Sequence, residues 1–337
     1  MTTRRNFIKT AVAASVGTTA LAQAGGATAA ATSSMPKQMP RGLTLLAMLQ
    51  PDGAETLGVK LPNGILDVAK AGDALKINAP TTVEELLLSG NAVALNQLIE
   101  AAKDRKEFVR DEAGIKFGRL FRNPGKIVCV GLNYKEHAEE AGEKLPKEPI
   151  LFNKYNNTLA AHNCTINLPP REVSYKFDYE TELLIVIGKT ARNVSEAEAL
   201  DYVAGYAIGH DFSARDLQLE KGGQWMVGKT LDQFAPIGPY LVSADLVDPN
   251  NLTIETYVNG ETKPRQSSHT SKFIFNPQKV ISYTSKLFAL EPGDIIFTGT
   301  PSGVIIGMPK EKQVWLKAGD KIESRIEKLG TLKFDLA

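Results

Sequence analysis

The chain has 337 residues, of which 43% are hydrophobic and 23% are charged, and its formal net charge is +1. This composition suits a soluble globular protein with one large core and room for a smaller domain. A nearly neutral chain without a long basic run gives no reason to expect a nucleic-acid partner or a membrane anchor.

The first segment in chain order has the features of an export signal. Arg4 and Arg5 stand together in TRRNFIK, and an Ala- and Thr-rich apolar stretch follows that is too short to span a membrane. The paired arginines closely resemble a twin-arginine signal, which is an address read by a receptor. We therefore predict that residues 1–34 are a signal peptide and linker, that the twin-arginine machinery is a partner, and that the protein is periplasmic. A disordered basic N-terminus is the alternative.

Residues 41–122 are predicted to form a small α+β domain. Two β-rich runs flank Pro62-Asn63-Gly64, which is a hairpin signal. Thr82 and Glu85 offer a capping box at the start of a helical region. No residue pattern in this domain points to chemistry.

Residues 124–337 read as many short strands separated by turns, with few helices. The strand-like runs are KIVCVG, ELLIVIG, YAIGHDF, LTIETYV, DIIFTGT and KIESRI. A doubly wound parallel sheet needs a helix between successive strands, so this pattern argues against one. We expect an α+β protein that is mainly β, with a sandwich or rolled sheet in this larger domain.

Three carboxylates lie where predicted strands meet loops. Glu180 and Glu182 open the apolar strand of FDYETELLIVIGK, and side chains at i and i+2 share one strand face. Asp211 follows a second strand in GHDFSARD. A site with only oxygen ligands favours Mg²⁺, Mn²⁺ or Ca²⁺ over zinc, and the metal would supply the countercharge that the glutamates need. Exposed charges paired with Lys or Arg are the alternative.

His137 and Glu140 are the second candidate group. They stand at i and i+3 in VGLNYKEHAEEAG, so they are neighbours if the segment is helical. A carboxylate beside an imidazole orients it and raises its basicity, as a general base needs. A solvated pair in a charged helix is the alternative.

Six motifs occur in order over about 200 residues: VGLNYKEHAEE, KEPILFNK, FDYETELLIVIGK, GHDFSARDLQ, GGQWMVGKTLDQFAPIGP and EPGDIIFTGTPSGV. Together they closely resemble the fumarylacetoacetate hydrolase family, on the branch that acts on small 2-oxo and 2,4-dioxo acids. The resemblance covers nearly all of Lys126 to Phe334. It implies a β-sandwich roll behind a small N-terminal domain, and a homodimer.

The resemblance also implies roles for individual residues. The implied metal ligands are Glu180, Glu182 and Asp211, the implied catalytic residues are His137, Glu140 and Lys229, and the implied substrate-binding residues are Arg215, Gln218, Gly299 and Thr300. In this chain Ile305-Ile306 replaces the glycine-containing continuation of the family's T-G-T-P loop. The resemblance therefore does not fix the shape of the substrate pocket.

The implied activity is Mg²⁺-dependent hydrolysis of a C–C bond in a 2,4-dioxo acid, such as an acylpyruvate, through a metal-stabilised enolate. Mn²⁺ and Ca²⁺ are alternative metals. The same pocket would serve oxaloacetate decarboxylation or keto–enol tautomerisation, and the sequence does not choose among the three reactions. From other classes, a periplasmic metal-dependent 2-oxo-acid binding protein and an inactive relative with a structural metal remain open.

Overall fold

Two large β-sheets and a two-stranded ribbon organise residues 38–337, the part of the chain that the computed structural model describes. The predicted signal peptide and linker, residues 1–34, lie outside the described residues. No helix within residues 38–337 is long and apolar enough to cross a membrane.

The strands of the described residues are, in chain order, β1 (Thr44–Leu49), β2 (Glu55–Leu61), β3 (Gly64–Asp67), β4 (Val109–Arg110), β5 (Ile127–Gly131), β6 (Ile150–Asn153), β7 (Leu159–Ala160), β8 (Cys164–Ile166), β9 (Phe177–Asp178), β10 (Thr181–Ile187), β11 (Val203–His210), β12 (Ser213–Ala214), β13 (Ala235–Ser243), β14 (Thr253–Val258), β15 (Gln266–His269), β16 (Ile295–Phe297), β17 (Lys321–Ile326) and β18 (Gly330–Leu336). The α-helices are α1 (Val68–Leu75), α2 (Val83–Ser89), α3 (Ala92–Ala102), α4 (Lys135–Glu140), α5 (Arg215–Leu219) and α6 (Pro277–Leu287).

The larger sheet has the strand order β4-β3-β2-β1-β13-β11-β10-β16-β5-β6, and β7 pairs with β13. The second sheet has the order β15-β14-β17-β18-β8, and β9 pairs with β12 in the ribbon. Most neighbouring strands are antiparallel, and the parallel pairs are β16–β5, β13–β7 and β18–β8. This arrangement confirms the mainly β fold that the sequence predicts.

Strand β10 runs through the middle of the core, with apolar partners on both of its faces. Leu183, Ile185 and Ile187 pack with apolar residues of β14, β17 and β18 from the second sheet. Leu184 and Val186 belong to the core on the opposite face, which also contains apolar residues of α1, α2 and α3. A strand covered on both faces is apolar at every position rather than at alternate ones, which explains the uninterrupted apolar run.

The N-terminal part of the fold follows its local signals closely. Strands β2 and β3 form the antiparallel hairpin predicted at Pro62-Asn63-Gly64. The hydroxyl of Thr82 caps α2 by accepting a hydrogen bond from the Glu85 amide, at 3.0 Å. The Glu85 carboxylate accepts from the Thr81 amide at 2.7 Å, so only half of the predicted capping box forms.

The large sheet continues across the predicted domain boundary near residue 124. Strand β1, from the predicted small domain, pairs with β13, from the predicted larger domain. Residues 38–337 all fall within one compact unit. The division into domains at 41–122 and 124–337 stays a prediction.

Candidate active site

The pairing of β10 with β11 brings the three predicted carboxylates together. Thr181 at the start of β10 lies opposite His210 at the end of β11, and the Asp211 amide donates to the carbonyl of Glu180 at 2.9 Å. Glu180 and Glu182 flank Thr181, so their side chains share the opposite strand face. One oxygen from each of Glu180, Glu182 and Asp211 lies within 4.8 Å of the other two, and all three side chains are buried.

Three buried cations pair with two of these carboxylates. The Lys229 ammonium lies 2.7 Å from Glu180 Oε2 and 2.8 Å from Asp211 Oδ2. The Lys154 ammonium lies 2.7 Å from Asp211 Oδ1. Arg215 Nη2 lies 2.7 Å from Glu180 Oε1, as an ion pair without hydrogen-bond alignment. Although burial opposes ionisation of Glu180, Lys229 and then Arg215 hold the pKa of its carboxyl below the usual range.

Glu182 differs from its neighbours because no cation of residues 38–337 forms an ion pair with it. Its Oε2 accepts a hydrogen bond of 2.6 Å from the Gly299 amide. Burial raises the pKa of the Glu182 carboxyl well above its usual value, and Asp211 and Glu180 raise it further. Glu182 is therefore the carboxylate whose charge the described residues leave uncompensated.

The charges at the site do not balance. With every group ionised, four buried carboxylates meet three buried cations, so one negative charge remains. The carboxylates are Asp178, Glu180, Glu182 and Asp211, and the cations are Lys154, Arg215 and Lys229. A divalent cation would supply the missing positive charge, and an oxygen-only donor set suits Mg²⁺, Mn²⁺ or Ca²⁺. The residues present therefore fit a metal site.

Asp178, to which the sequence analysis assigned no role, connects Arg215 to the loop after the T-G-T-P motif. Its Oδ2 accepts from Arg215 Nε at 2.8 Å, and its two oxygens accept from the amides of Ile305 and Ile306 at 2.8 and 3.1 Å. Arg215 Nη1 donates to Gln218 Oε1 at 2.9 Å. One buried carboxylate thus orients two predicted substrate-binding side chains and the segment that departs from the family pattern.

The predicted pair of His137 and Glu140 forms on helix α4. His137 Nδ1 lies 2.8 Å from Glu140 Oε1, and His137 is 7% exposed. Glu140 also accepts from the amide of Gly303, with Oε2 at 3.0 Å. Because Nδ1 faces the carboxylate, Nε2 of His137 is the nitrogen left without a hydrogen bond among the described residues.

A cavity of about 490 Å³ joins the pair to the carboxylate cluster. The predicted site residues that line it are His137, Glu140, Glu180, Glu182, Arg215, Gln218, Lys229 and Thr300. Asp211 and Gly299 do not line the cavity. Asp211 lies fully buried behind it, and the Gly299 amide is used by Glu182. A Cβ at residue 299 would come within 2.8 Å of the Asn133 side chain, so the tight approach requires glycine there.

Lys154 is the cation of this cluster that sequence reasoning missed, as it missed the role of Asp178. It follows β6 in KEPILFNK and reads as an ordinary charge at a strand end. In the fold its side chain is fully buried against Asp211. The sequence around Lys154 gives little indication of this position, because only the pairing of β6 with β5 in the folded sheet brings the lysine to the carboxylates.

The chain is similar to several known proteins over most of its length. It is 45% identical over 291 residues to a fumarylacetoacetate hydrolase domain-containing protein 2 homolog of Dictyostelium discoideum, covering 83% of this chain and 92% of the relative. It is 38% identical over 302 residues to the mitochondrial oxaloacetate tautomerase FAHD2A of Bos taurus, covering 88% of this chain and 92% of the relative.

Solved structures are also similar. A fumarylacetoacetate hydrolase from Exiguobacterium antarcticum superposes with a TM-score of 0.72 and 31% identity, covering 87% of this chain and 99% of that one. Fumarylpyruvate hydrolase from Pseudomonas aeruginosa, solved with Mn²⁺ and pyruvate, gives a TM-score of 0.56 and 33% identity, covering 63% of this chain and 89% of that one.

The periplasmic location predicted from the N-terminus is wrong by these comparisons. The relatives from Bos taurus and Homo sapiens, at 38% identity, are mitochondrial proteins rather than exported ones. The physical reason for the error lies in the composition of residues 1–34, which contain arginine, serine and threonine but no acid. Export signals and mitochondrial transit peptides share such features, so the paired arginines did not fix the compartment.

Family membership rests on a match to most of the larger predicted domain. The model of the fumarylacetoacetate hydrolase C-terminal family matches residues 126–337, which include the three carboxylates, both lysines and the His137–Glu140 pair. The enzymes among the relatives include a tautomerase, hydrolases and isomerases. The chain therefore belongs to the fumarylacetoacetate hydrolase family and is an enzyme.

Proposed function

We propose that the protein is a Mg²⁺-dependent keto–enol tautomerase of oxaloacetate or a similar small 2-oxo acid, working as a homodimer. The observation that carries the proposal is the shared cavity, in which one oriented imidazole faces a carboxylate cluster with an uncompensated negative charge. The similarity to oxaloacetate tautomerases over 79–88% of the chain supports the choice of reaction.

Tautomerisation needs only one mobile proton, which a single base can carry. Nε2 of His137 would remove the proton from the carbon beside the 2-oxo group and return it to the oxygen, or the reverse, so atoms and charge balance. Glu140 orients the imidazole through its contact with Nδ1, which leaves Nε2 free to carry the proton. The Gly303 amide in turn fixes Glu140.

The remaining residues would bind the acid and stabilise charge on its oxygen. A divalent cation bound by Glu180, Glu182 and Asp211 would supply positive charge that favours the enolate over the ketone. Lys229, a buried ammonium, adds charge at the same end of the cavity. Arg215, which lies beside Glu180, and its neighbour Gln218 also line the cavity, where they would offer donors to a carboxylate.

Hydrolysis of an acylpyruvate, the activity that the family resemblance implies, is the second candidate. The size of the cavity favours it, since about 490 Å³ accommodates a longer acid than oxaloacetate. The rings of Phe152 and Trp225 meet edge to face and form an apolar wall, which suits the longer carbon skeleton of an acylpyruvate. The similar fumarylpyruvate hydrolase structure contains Mn²⁺ and pyruvate.

The decisive test compares both reactions in one preparation. Loss of the enol absorbance of oxaloacetate and release of pyruvate from acylpyruvates would be followed with Mg²⁺ and with EDTA. We expect EDTA to abolish tautomerisation and His137→Ala to slow it by roughly 10²–10⁴. Lys135→Ala, on the exposed side of the same helix, should leave it unchanged. Tautomerisation that survives both EDTA and His137→Ala would refute the proposal, and faster acylpyruvate cleavage would select the second candidate.

A further inference from the structure

A buried glutamine outside the cavity controls the hydrogen bonding of a residue that lines it. Gln266 opens β15 and is fully buried. Its Nε2 donates to Thr300 Oγ1 at 2.9 Å and to the carbonyl of Pro301 at 2.7 Å. Thr300 lines the cavity and is 3% exposed.

The orientation of the Gln266 amide follows from its partners. The carbonyl of Pro301 can only accept, so the NH₂ group must face it. On the other side, Oε1 accepts from the hydroxyl of Thr256 at 2.7 Å and from the Thr181 amide at 3.4 Å. Exchanging the oxygen and nitrogen would place two acceptors against each other at the Pro301 carbonyl and two donors against each other at the Thr181 amide.

This orientation leaves the Thr300 hydroxyl with a single unused function. A hydroxyl has one hydrogen to donate and two lone pairs to accept with. The hydrogen of Thr300 goes to the carbonyl of Thr181, at 3.0 Å, and one lone pair receives Gln266 Nε2. Any ligand group that reaches the hydroxyl therefore meets only a lone pair.

The same network extends to the strand that bears the carboxylates. The hydroxyl of Thr256 contacts that of Thr181 at 2.5 Å, and Thr181 contacts the hydroxyl of Ser324 at 2.7 Å. Ser324 lies 3.1 Å from Nδ1 of His210, whose Nε2 accepts from the Glu180 amide at 3.0 Å. Because all of these side chains are buried, water cannot replace the bonds, and the orientation of Gln266 is fixed from both sides.

We propose that Gln266 is a positioning residue that makes Thr300 selective for a protonated oxygen of the bound acid. An enol hydroxyl can donate to the remaining lone pair of Thr300, whereas a carboxylate oxygen, which only accepts, is repelled by it. The inference rests on the proposed function in one respect, which is that the protonated oxygen is the enol hydroxyl of the substrate. The rival role for Thr300, donation from its hydroxyl to a substrate carboxylate, would require the bond to Thr181 to break.

Two small acids of similar size separate these roles without turnover. Glycolate carries a carboxylate and a hydroxyl that can donate, whereas the oxygens of the oxalate dianion can only accept. Calorimetric titration of both acids into the Mg²⁺-loaded protein gives a ratio of affinities for each variant. The variants are Gln266→Met and Thr300→Val, and the controls are Thr300→Ser, which retains the hydroxyl, and Ser267→Ala, on the exposed face of the same strand.

We expect Gln266→Met and Thr300→Val each to lower the glycolate-to-oxalate affinity ratio by about tenfold, the usual worth of one hydrogen bond at a buried site. Thr300→Ser and Ser267→Ala should leave the ratio within about twofold. A parallel loss of both affinities in Gln266→Met, or an unchanged ratio in Thr300→Val, would overturn the inference. If Gln266→Met does not fold, the two Thr300 variants decide alone. If wild-type protein does not tautomerise oxaloacetate, the proposed function is refuted, but the affinity ratios still test the role of Gln266.

Discussion

Glu180 and Glu182 share a strand face, yet they should respond in opposite directions to the same isosteric substitution. Replacing Glu182 by Gln removes a charge that has no ion pair and keeps an oxygen for the Gly299 amide. The ligand oxygens lie within 4.8 Å of one another, and at that upper limit, with an effective dielectric constant of about 20, each like-charge pair costs roughly 3 kcal/mol. Protonation already relieves part of that cost, so we expect Glu182→Gln to stabilise the metal-free protein by about 1–3 kcal/mol.

Glu180→Gln should have the reverse effect. Glu180 pairs with Lys229 and Arg215, both of which are buried, and its loss would leave their charges less compensated. Removing one partner of a buried pair typically costs about 3–5 kcal/mol. The free energy of unfolding in urea with EDTA measures both variants, with Glu139→Gln, at an exposed position of α4, as the control.

The same free energies of unfolding are then measured with Mg²⁺ in place of EDTA. At a free Mg²⁺ concentration of about 100 times its dissociation constant, wild-type protein should gain about 2.7 kcal/mol. Neither glutamine variant should show this gain, since each has lost a ligand. The reasoning is refuted if Glu182→Gln destabilises the metal-free protein by more than about 1 kcal/mol, or if it keeps the full gain with Mg²⁺.

Three further predictions concern histidines and Lys154. His137→Ala should slow proton transfer by roughly 10²–10⁴ while oxalate affinity, measured by calorimetry, stays within a few-fold; equal losses would make His137 a binding residue. Lys154→Met should lower the free energy of unfolding in EDTA by about 3 kcal/mol, because it leaves Asp211 with fewer countercharges, and an unchanged value in urea would contradict this. Burial, and then Lys333, lower the pKa of His162 to about 4. As the pH falls, the unfolded chain therefore binds this proton before the folded protein does, and the free energy of unfolding should fall between about pH 6.5 and pH 4. Urea unfolding at pH 7 and pH 5 should show a smaller fall for His162→Asn than for wild type. An equal fall would show that His162 is not the group responsible.

Local patterns predicted the elements that depend on neighbouring residues. The apolar run of β10, the hairpin at Pro62-Asn63-Gly64 and the helix start at Thr82 all form. The contact between His137 and Glu140 also follows from helical spacing alone. Each of these features joins residues a few positions apart, so the sequence order already contains the geometry.

Contacts between segments that are distant in the sequence could not be predicted from local patterns. Lys154 reaches Asp211 across 57 positions, and Gln266 reaches Thr300 across 34 positions. Neither pairing has a local signal, since each depends on which strands are neighbours in the sheets. The motifs identified the carboxylates. That Glu182 forms no ion pair follows only from the positions of the three cations, which pair with Glu180 and Asp211 instead.

The departure from the family pattern at Ile305-Ile306 illustrates how the pocket can change while the carboxylates stay in place. Asp178 binds this segment through two backbone amides, and a backbone donor does not depend on the side chain attached to it. The side chain of Ile305 is buried in the core, whereas Ile306 lines the cavity. A substitution at residue 306 can therefore alter which acids fit, while Asp178 continues to orient Arg215 against Glu180. Substrate choice within the family can thus vary at this loop without any change to the buried charges that the metal site requires.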